Sequence, residues 1–293
     1  MSAGPSPAAL AWRETGRTAD VDGHAVFVSR GEGRGTPVLL LHGYPGSSVD
    51  FAGVLPALGA PWVAPDLRGF GYSAKPVGAR HYSLFAQADL VEQVVGDLPE
   101  VAVLAHDMGT TVAAELLARQ HEGRLGFRIA SVVLTNGSIF IDLAQLTRGQ
   151  RAGLRLGPRA MPLGLPDAVV RRSLRESIAP GTRIDPALDP APLADLLALI
   201  REGRGDRVLV QQLLYLRERR VHQARWTAGF VDFAGPLAAL WGTRDPIAVP
   251  AMPRRLADLR PGTDVVEWDD VGHWPSLEVP ERLAEQVRAR LAV

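Results

Sequence analysis

The segment Val101-Ala-Val-Leu-Ala-His-Asp107-Met-Gly-Thr-Thr-Val-Ala reads as an apolar strand, a sharp turn and a helix, with small residues at Ala105 and Gly109 flanking Asp107. That is the pattern of a nucleophile elbow, in which a strained turn presents the central side chain and small neighbours let strand and helix approach closely. Serine usually occupies the centre, and here aspartate does. The plainer reading is an Asp that caps the helix starting near Gly109. A carboxylate nucleophile changes the chemistry. It can displace a leaving group from saturated carbon and become an ester, which water then splits at the carbonyl. The oxygen delivered in the first turnover comes from the enzyme's own carboxylate. An epoxide, a halide or an equivalent electrophile at sp³ carbon is implied.

Three further stretches supply what such a nucleophile needs. Leu40-Leu-His42-Gly43-Tyr44-Pro45-Gly46 follows an apolar strand, so the N–H of Tyr44 can point where the N–H of Met108 points, and the two would form an oxyanion hole. Read alone, it is an ordinary Pro-Gly turn. Leu240-Trp-Gly-Thr-Arg-Asp245-Pro and Val271-Gly-His273-Trp-Pro each follow a strand near the end of the chain. The order nucleophile, acid, base results, with His273 as general base and Asp245 fixing its tautomer and stabilising its charged form. Asp269 and Asp270 compete for the acid role, but their closeness to His273 in sequence favours Asp245. The Gly-rich stretch Pro65-Asp-Leu-Arg-Gly-Phe-Gly-Tyr-Ser73 is read as a brace for the site.

These residues must be carried by strands. Short Val- and Leu-rich runs recur at Pro37–Leu41, Trp62–Ala64, Val101–Ala105, Ala130–Leu134, Pro236–Trp241 and Asp264–Trp268, and helix-period stretches lie at Leu84–Val95, Thr110–Gln120, Pro250–Leu259 and Pro280–Leu291. The alternation predicts an α/β fold with a mostly parallel central sheet flanked by helices. The more polar segments Arg13–Ala19 and Ala25–Ser29 are expected as antiparallel edge strands. Between Ile139 and Phe233 the sequence turns helical and rich in Arg, Leu and Pro. We read 1–138 and 233–293 as one core domain and 139–232 as an inserted helical cap, since the sheet needs both flanks; an ordinary second domain is the alternative. The apolar residues of Leu154–Pro166 and Leu193–Ile200 are expected mainly to pack cap onto core.

Composition sets the frame. The 293 residues are 46% hydrophobic and 22% charged, with formal net charge zero, which suits a packed globule with a small organic ligand and gives no general attraction to nucleic acid or anionic membrane. Cysteine is absent, so disulfides and thiolate chemistry are excluded. No leader pattern or apolar run of bilayer length appears, and a cytoplasmic location is expected. Neither metal-ligand spacing nor a phosphate or dinucleotide loop is present, so no cofactor or metal is expected. The expected partners are a small organic substrate and water; a homodimer is left open.

Taken together, His42-Gly-Tyr-Pro45, Asp66-Leu-Arg-Gly-Phe-Gly-Tyr-Ser73, His106-Asp-Met-Gly109, Trp241-Gly-Thr-Arg-Asp-Pro246 and Gly272-His-Trp274 resemble the α/β-hydrolase superfamily, specifically its epoxide hydrolase and haloalkane dehalogenase branch with an aspartate nucleophile. The resemblance covers nearly the whole chain. Leu134-Thr-Asn-Gly-Ser-Ile-Phe140 and Tyr215-Leu-Arg-Glu-Arg-Arg through Arg225-Trp226 further resemble the mesoderm-specific-transcript group, whose members are commonly described as epoxide hydrolases. The resemblance implies cap tyrosines that protonate an epoxide oxygen. Tyr215 matches one, no second tyrosine is found in the cap, and His222 is the substitute considered. Dehalogenases of the branch hold the halide partly with a tryptophan directly after the nucleophile and an asparagine before the Pro; Met108 and Tyr44 stand there instead. Trp226 and Trp274 are then the remaining indole donors. Epoxide hydrolysis therefore ranks first, dehalogenation second and a non-catalytic binding protein on the same fold third.

Overall fold

The computed structural model describes residues 6–96, 98–157 and 164–291. In chain order it runs α1 (Pro7–Glu14), β1 (Gly16–Val21), β2 (His24–Gly31), β3 (Val38–Leu41), α2 (Leu55–Leu58), β4 (Trp62–Pro65), α3 (Leu84–Val95), β5 (Glu100–His106), α4 (Met108–His121) and β6 (Arg128–Thr135). Then come α5 (Arg148–Leu156), α6 (Asp167–Arg175), α7 (Ala191–Arg201), α8 (Leu209–Gln212) and α9 (Tyr215–Val231). The chain returns to the sheet with β7 (Leu237–Gly242), α10 (Ala251–Leu259), β8 (Asp264–Trp268), α11 (Pro275–Glu278) and α12 (Pro280–Arg288).

The eight strands form one sheet in the order β1-β2-β4-β3-β5-β6-β7-β8. The pairs β1/β2 and β2/β4 are antiparallel; from β4 onward all neighbours are parallel. Alternation along each strand splits the core in two. Leu39, Leu41, Val103, Ala105, Leu134 and Trp241 face α3, α4 and α9, whereas Val38, Leu40, Leu104, Val133 and Leu240 face α1, α2 and α12. Each Val or Leu among them, fully buried, contributes about 1.5–3 kcal/mol of apolar transfer energy. Because both faces are covered, the central strands read as continuous apolar runs.

Two expectations are corrected at the start of the chain. Strand β2, which carries Ala25–Ser29, is no edge strand, since it pairs with β1 on one side and β4 on the other. The first edge strand begins at Gly16, not Arg13, because Pro7–Glu14 is helical. Ser6 caps that helix by accepting from the N–H of Ala9 at 3.3 Å, Pro7 takes the first helical position, and Trp12 is buried with its indole N–H on Ser48 at 3.0 Å.

Among the described residues no strand lies between β6 and β7; of the segment Leu154–Pro166, residues 158–163 lie outside the described residues. Helices α6 and α7 bury Val170, Leu174, Leu193, Leu196, Leu197 and Ile200 in a third cluster that also takes in Trp274. Helix α9 instead packs along α4 over the sheet. Gly229 lies where a Cβ would stand 2.5 Å from the Ala114 carbonyl, and buried Glu115 of α4 accepts from Arg225 Nε at 2.8 Å, Trp226 Nε1 at 2.9 Å and Arg119 Nε at 2.9 Å. No helix among the described residues is long and apolar enough to cross a membrane.

Candidate active site

All parallel strands deliver their carboxyl ends to one edge, and the chemistry-bearing residues follow those ends. Asp107 comes directly after β5 with φ 46° and ψ −116°. A non-glycine residue held there is strained, which is the expected mark of an elbow. The turn closes only because its neighbours are glycines. A Cβ on Gly43 would stand 2.4 Å from the Asp107 Cβ, and one on Gly109 would stand 2.3 Å from the Leu41 carbonyl oxygen.

The Asp107 carboxylate has two donors. The Tyr44 N–H donates to Oδ2 at 2.9 Å, and the Ser138 hydroxyl donates to Oδ1 at 3.3 Å. Met108 opens α4, as expected for the second oxyanion-hole donor, yet its N–H makes no hydrogen bond to the carboxylate in this resting arrangement.

His273 and Asp245 meet as expected: Nδ1 of His273 donates to Asp245 Oδ2 at 2.8 Å, both side chains being buried. Asp245 is held at Oδ1 by the N–H groups of Ile247 at 2.6 Å and Ala248 at 2.9 Å. With Nδ1–H so engaged, Nε2 is the basic nitrogen. The rival acids are elsewhere: Asp270 pairs with Arg282, and Asp269 is exposed. Burial pulls the His273 pKa down, but the charge and hydrogen bond of Asp245, then the charges of Asp107 and Glu278, outweigh it and push it up to about 9.

Three supporting residues were not foreseen. Asn136, just past β6 at φ 35°, donates to Asp245 Oδ2 at 2.8 Å and exchanges hydrogen bonds with the Gly242 backbone, tying the ends of β6 and β7 together. Ser138 is described above. Glu278 accepts from the N–H groups of Gly272 at 2.7 Å and Trp274 at 2.9 Å, one on each side of His273, and so sets the loop that aims the imidazole. All three belong to groups that a sequence places far apart or in plain loops. The brace reading of the Gly-rich stretch is consistent with Asp66, which accepts from Ser48 and Tyr72.

Asp107, Tyr44 and His273 line one cavity of about 260 Å³. Its remaining wall comes largely from α5, α6 and α8, with apolar Val170, Leu174, Val210 and Leu213 beside polar Thr147 and Ser173. The other four expected contacts lie outside this lining. Trp226 gives its indole N–H to Glu115, and Trp274 gives its own to Ser177 at 3.3 Å, so both are committed within the protein. His222 packs edge-on against Phe85 at 4.9 Å. Tyr215 is buried, its ring 6.3 Å from that of Tyr44, and burial followed by the Asp107 charge raises its pKa well above the ordinary phenol value, against the opposing pull of Arg219 and Ser138. It is thus a buried phenol that stays protonated and feels the Asp107 charge.

Comparison with known proteins extends the match over almost the whole chain. The profile of the alpha/beta hydrolase family matches residues 38–286. LipZ of Mycobacterium tuberculosis is 41% identical over 288 residues, covering 96% of each chain. The human mesoderm-specific transcript homolog protein is 32% identical over 291 residues, covering 94% of this chain and 85% of its own. The crystal structure of the haloalkane dehalogenase DbeA from Bradyrhizobium elkani overlays with a TM-score of 0.72 at 20% identity, covering 94% of this chain and 96% of that one, a likeness of fold. The resemblance drawn from the motifs holds in both sequence and fold.

Proposed function

Because the chain belongs to the alpha/beta hydrolase family, as a relative of the mesoderm-specific transcript proteins, we propose that it hydrolyses an epoxide to a vicinal diol through an ester of Asp107. The observation that carries this reading is an aspartate, not a serine, at the strained elbow, in one cavity with a His273 already oriented by Asp245. With Oδ2 held by the Tyr44 N–H, Oδ1 attacks a ring carbon and the ring C–O bond breaks. Oδ2 then becomes the ester carbonyl oxygen. Water deprotonated by His273 adds to Cγ, and the charge that develops on Oδ2 falls on the hydrogen bond from Tyr44, joined by the Met108 N–H as the carbon turns tetrahedral.

Epoxide is favoured over halide by the state of the donors. A departing alkoxide needs a proton, which Tyr215 retains, whereas a halide needs free N–H donors, and the indoles of Trp226 and Trp274 are occupied. Tyr215→Phe should slow ester formation from an epoxide by about 10²-fold or more, with little effect on an alkyl halide. Single-turnover rates on the two substrate classes test this; equal effects would remove Tyr215 as the acid.

The pH dependence has a defined sign. In the free protein the Asp107 charge helps hold the His273 pKa up to about 9. Esterification removes that charge, so the imidazole pKa falls and more of it is free base at neutral pH. The rising limb of kcat should therefore have its midpoint below the His273 midpoint of the free protein, followed by NMR of the imidazole. A kcat midpoint at or above the free-protein value would contradict ester formation at Asp107.

A further inference from the structure

Tyr215 and Arg219 stand four residues apart on α9, on the face turned into the protein, at 2% and 1% exposure. Side chains at this spacing are neighbours on a helix. A buried guanidinium ordinarily brings a carboxylate with it, since an unpaired charge taken out of water costs several kcal/mol. Arg225 on the same helix shows the ordinary solution, paired with Glu115. Arg219 does not. Among the described residues neither Nη1 nor Nη2 meets a hydrogen-bond partner. Burial lowers its pKa to about 10, and the groups whose charge opposes that are Tyr215 and Asp107, so it remains a cation at neutral pH. The groups that bear on Tyr215 in turn are Asp107 from the elbow, Arg219, Tyr44 from the loop after β3 and Ser138 from the loop after β6.

We propose that Arg219 is a positioning residue for ring opening, the counter-charge for the Tyr215 phenolate left behind when the phenol gives its proton to the departing epoxide oxygen. This role rests on the epoxide reading above. It answers two difficulties of that reading at once. A phenol buried beside a carboxylate is a weak acid unless its anion is stabilised, and the second cap tyrosine implied by the motifs is missing while His222 packs elsewhere. In the step, the Asp107 carboxylate forms a C–O bond as the ring C–O bond breaks, and the alkoxide takes the Tyr215 proton. Of the two protons of the hydrolytic water, one leaves on the diol and the other returns to the phenol, so water is the only co-reactant. The cation that looks unpaired at rest acquires its partner during the reaction.

Two measurements test this. In the first, difluorotyrosine in place of Tyr215 makes the phenol more acidic, so that its ionisation is followed by absorbance across a pH titration without substrate. Arg219→Met should move that ionisation up by about one unit or more, and Arg219→Lys should restore most of the difference. An unmoved ionisation overturns the inference. The second follows adduct formation with an epoxide on the His273→Gln background. Arg219→Met should slow it about 10²-fold when Tyr215 is present and less than about threefold in Tyr215→Phe, because the two side chains act as one unit. Equal losses in both backgrounds would mean structural damage and overturn it too. A panel of epoxides that gives no adduct at all fails the underlying reading; a normal adduct rate with an unmoved phenol fails the inference alone.

Discussion

Asp107→Ala is expected to abolish turnover, a loss of about 10⁴-fold or more, equivalent to at least ~5.5 kcal/mol of transition-state stabilisation. The loss is large because no neighbouring group can substitute. The described cavity lining has no other carboxylate, and the backbone that places Asp107 is strained for that one position. The fold should survive, since among the described residues the carboxylate takes hydrogen bonds only from Tyr44 and Ser138 and its removal relieves a buried charge. Steady-state rates and circular dichroism on the same preparation separate the two effects. Residual activity within about tenfold of wild type would mean that Asp107 does no chemistry.

His273→Gln should divide the reaction in two. Ester formation needs the Asp107 carboxylate and a leaving-group acid, not the imidazole, so one equivalent of epoxide is still consumed. Ester hydrolysis loses its base and should slow by about 10³-fold or more. A burst of one equivalent followed by near-silence is the expected time course. Glutamine is nearly the size of histidine and can still reach Asp245, so the buried carboxylate keeps a donor in addition to Asn136, Ile247 and Ala248. Wild-type turnover in this variant would remove His273 from the mechanism.

The parts of the protein legible in the sequence are those where local pattern and local geometry coincide. An apolar strand ending in a Gly- or Pro-containing turn is both a sequence signal and the structural event that puts a residue at the sheet's carboxyl edge, which is why Tyr44, Asp107, Asp245 and His273 could be named together. The missing parts depend on where a side chain points. Trp226 and Trp274 look like free indole donors in the sequence, yet their N–H groups are taken by Glu115 and Ser177, residues more than ninety positions away. Asn136 and Glu278 act through backbone groups of other loops, and no period announces that. Within Arg217-Glu218-Arg219-Arg220, four charged residues in a row read as a solvated face; only the third turns fully inward. The start of the chain is a different case. Ser6-Pro7 is a helix-start signal, and the strand reading from Arg13 overlooks it.

The most direct test of the account is the intact mass of His273→Gln after incubation with epoxides and, separately, with haloalkanes, followed by peptide mapping of any adduct. We expect a mass increase equal to a whole epoxide, located on the peptide that contains Asp107. An alkyl adduct lacking its halogen would show the same nucleophile at work on halides and overturn the epoxide assignment. An unmodified Asp107 under both treatments, with the protein folded, would contradict the covalent mechanism itself.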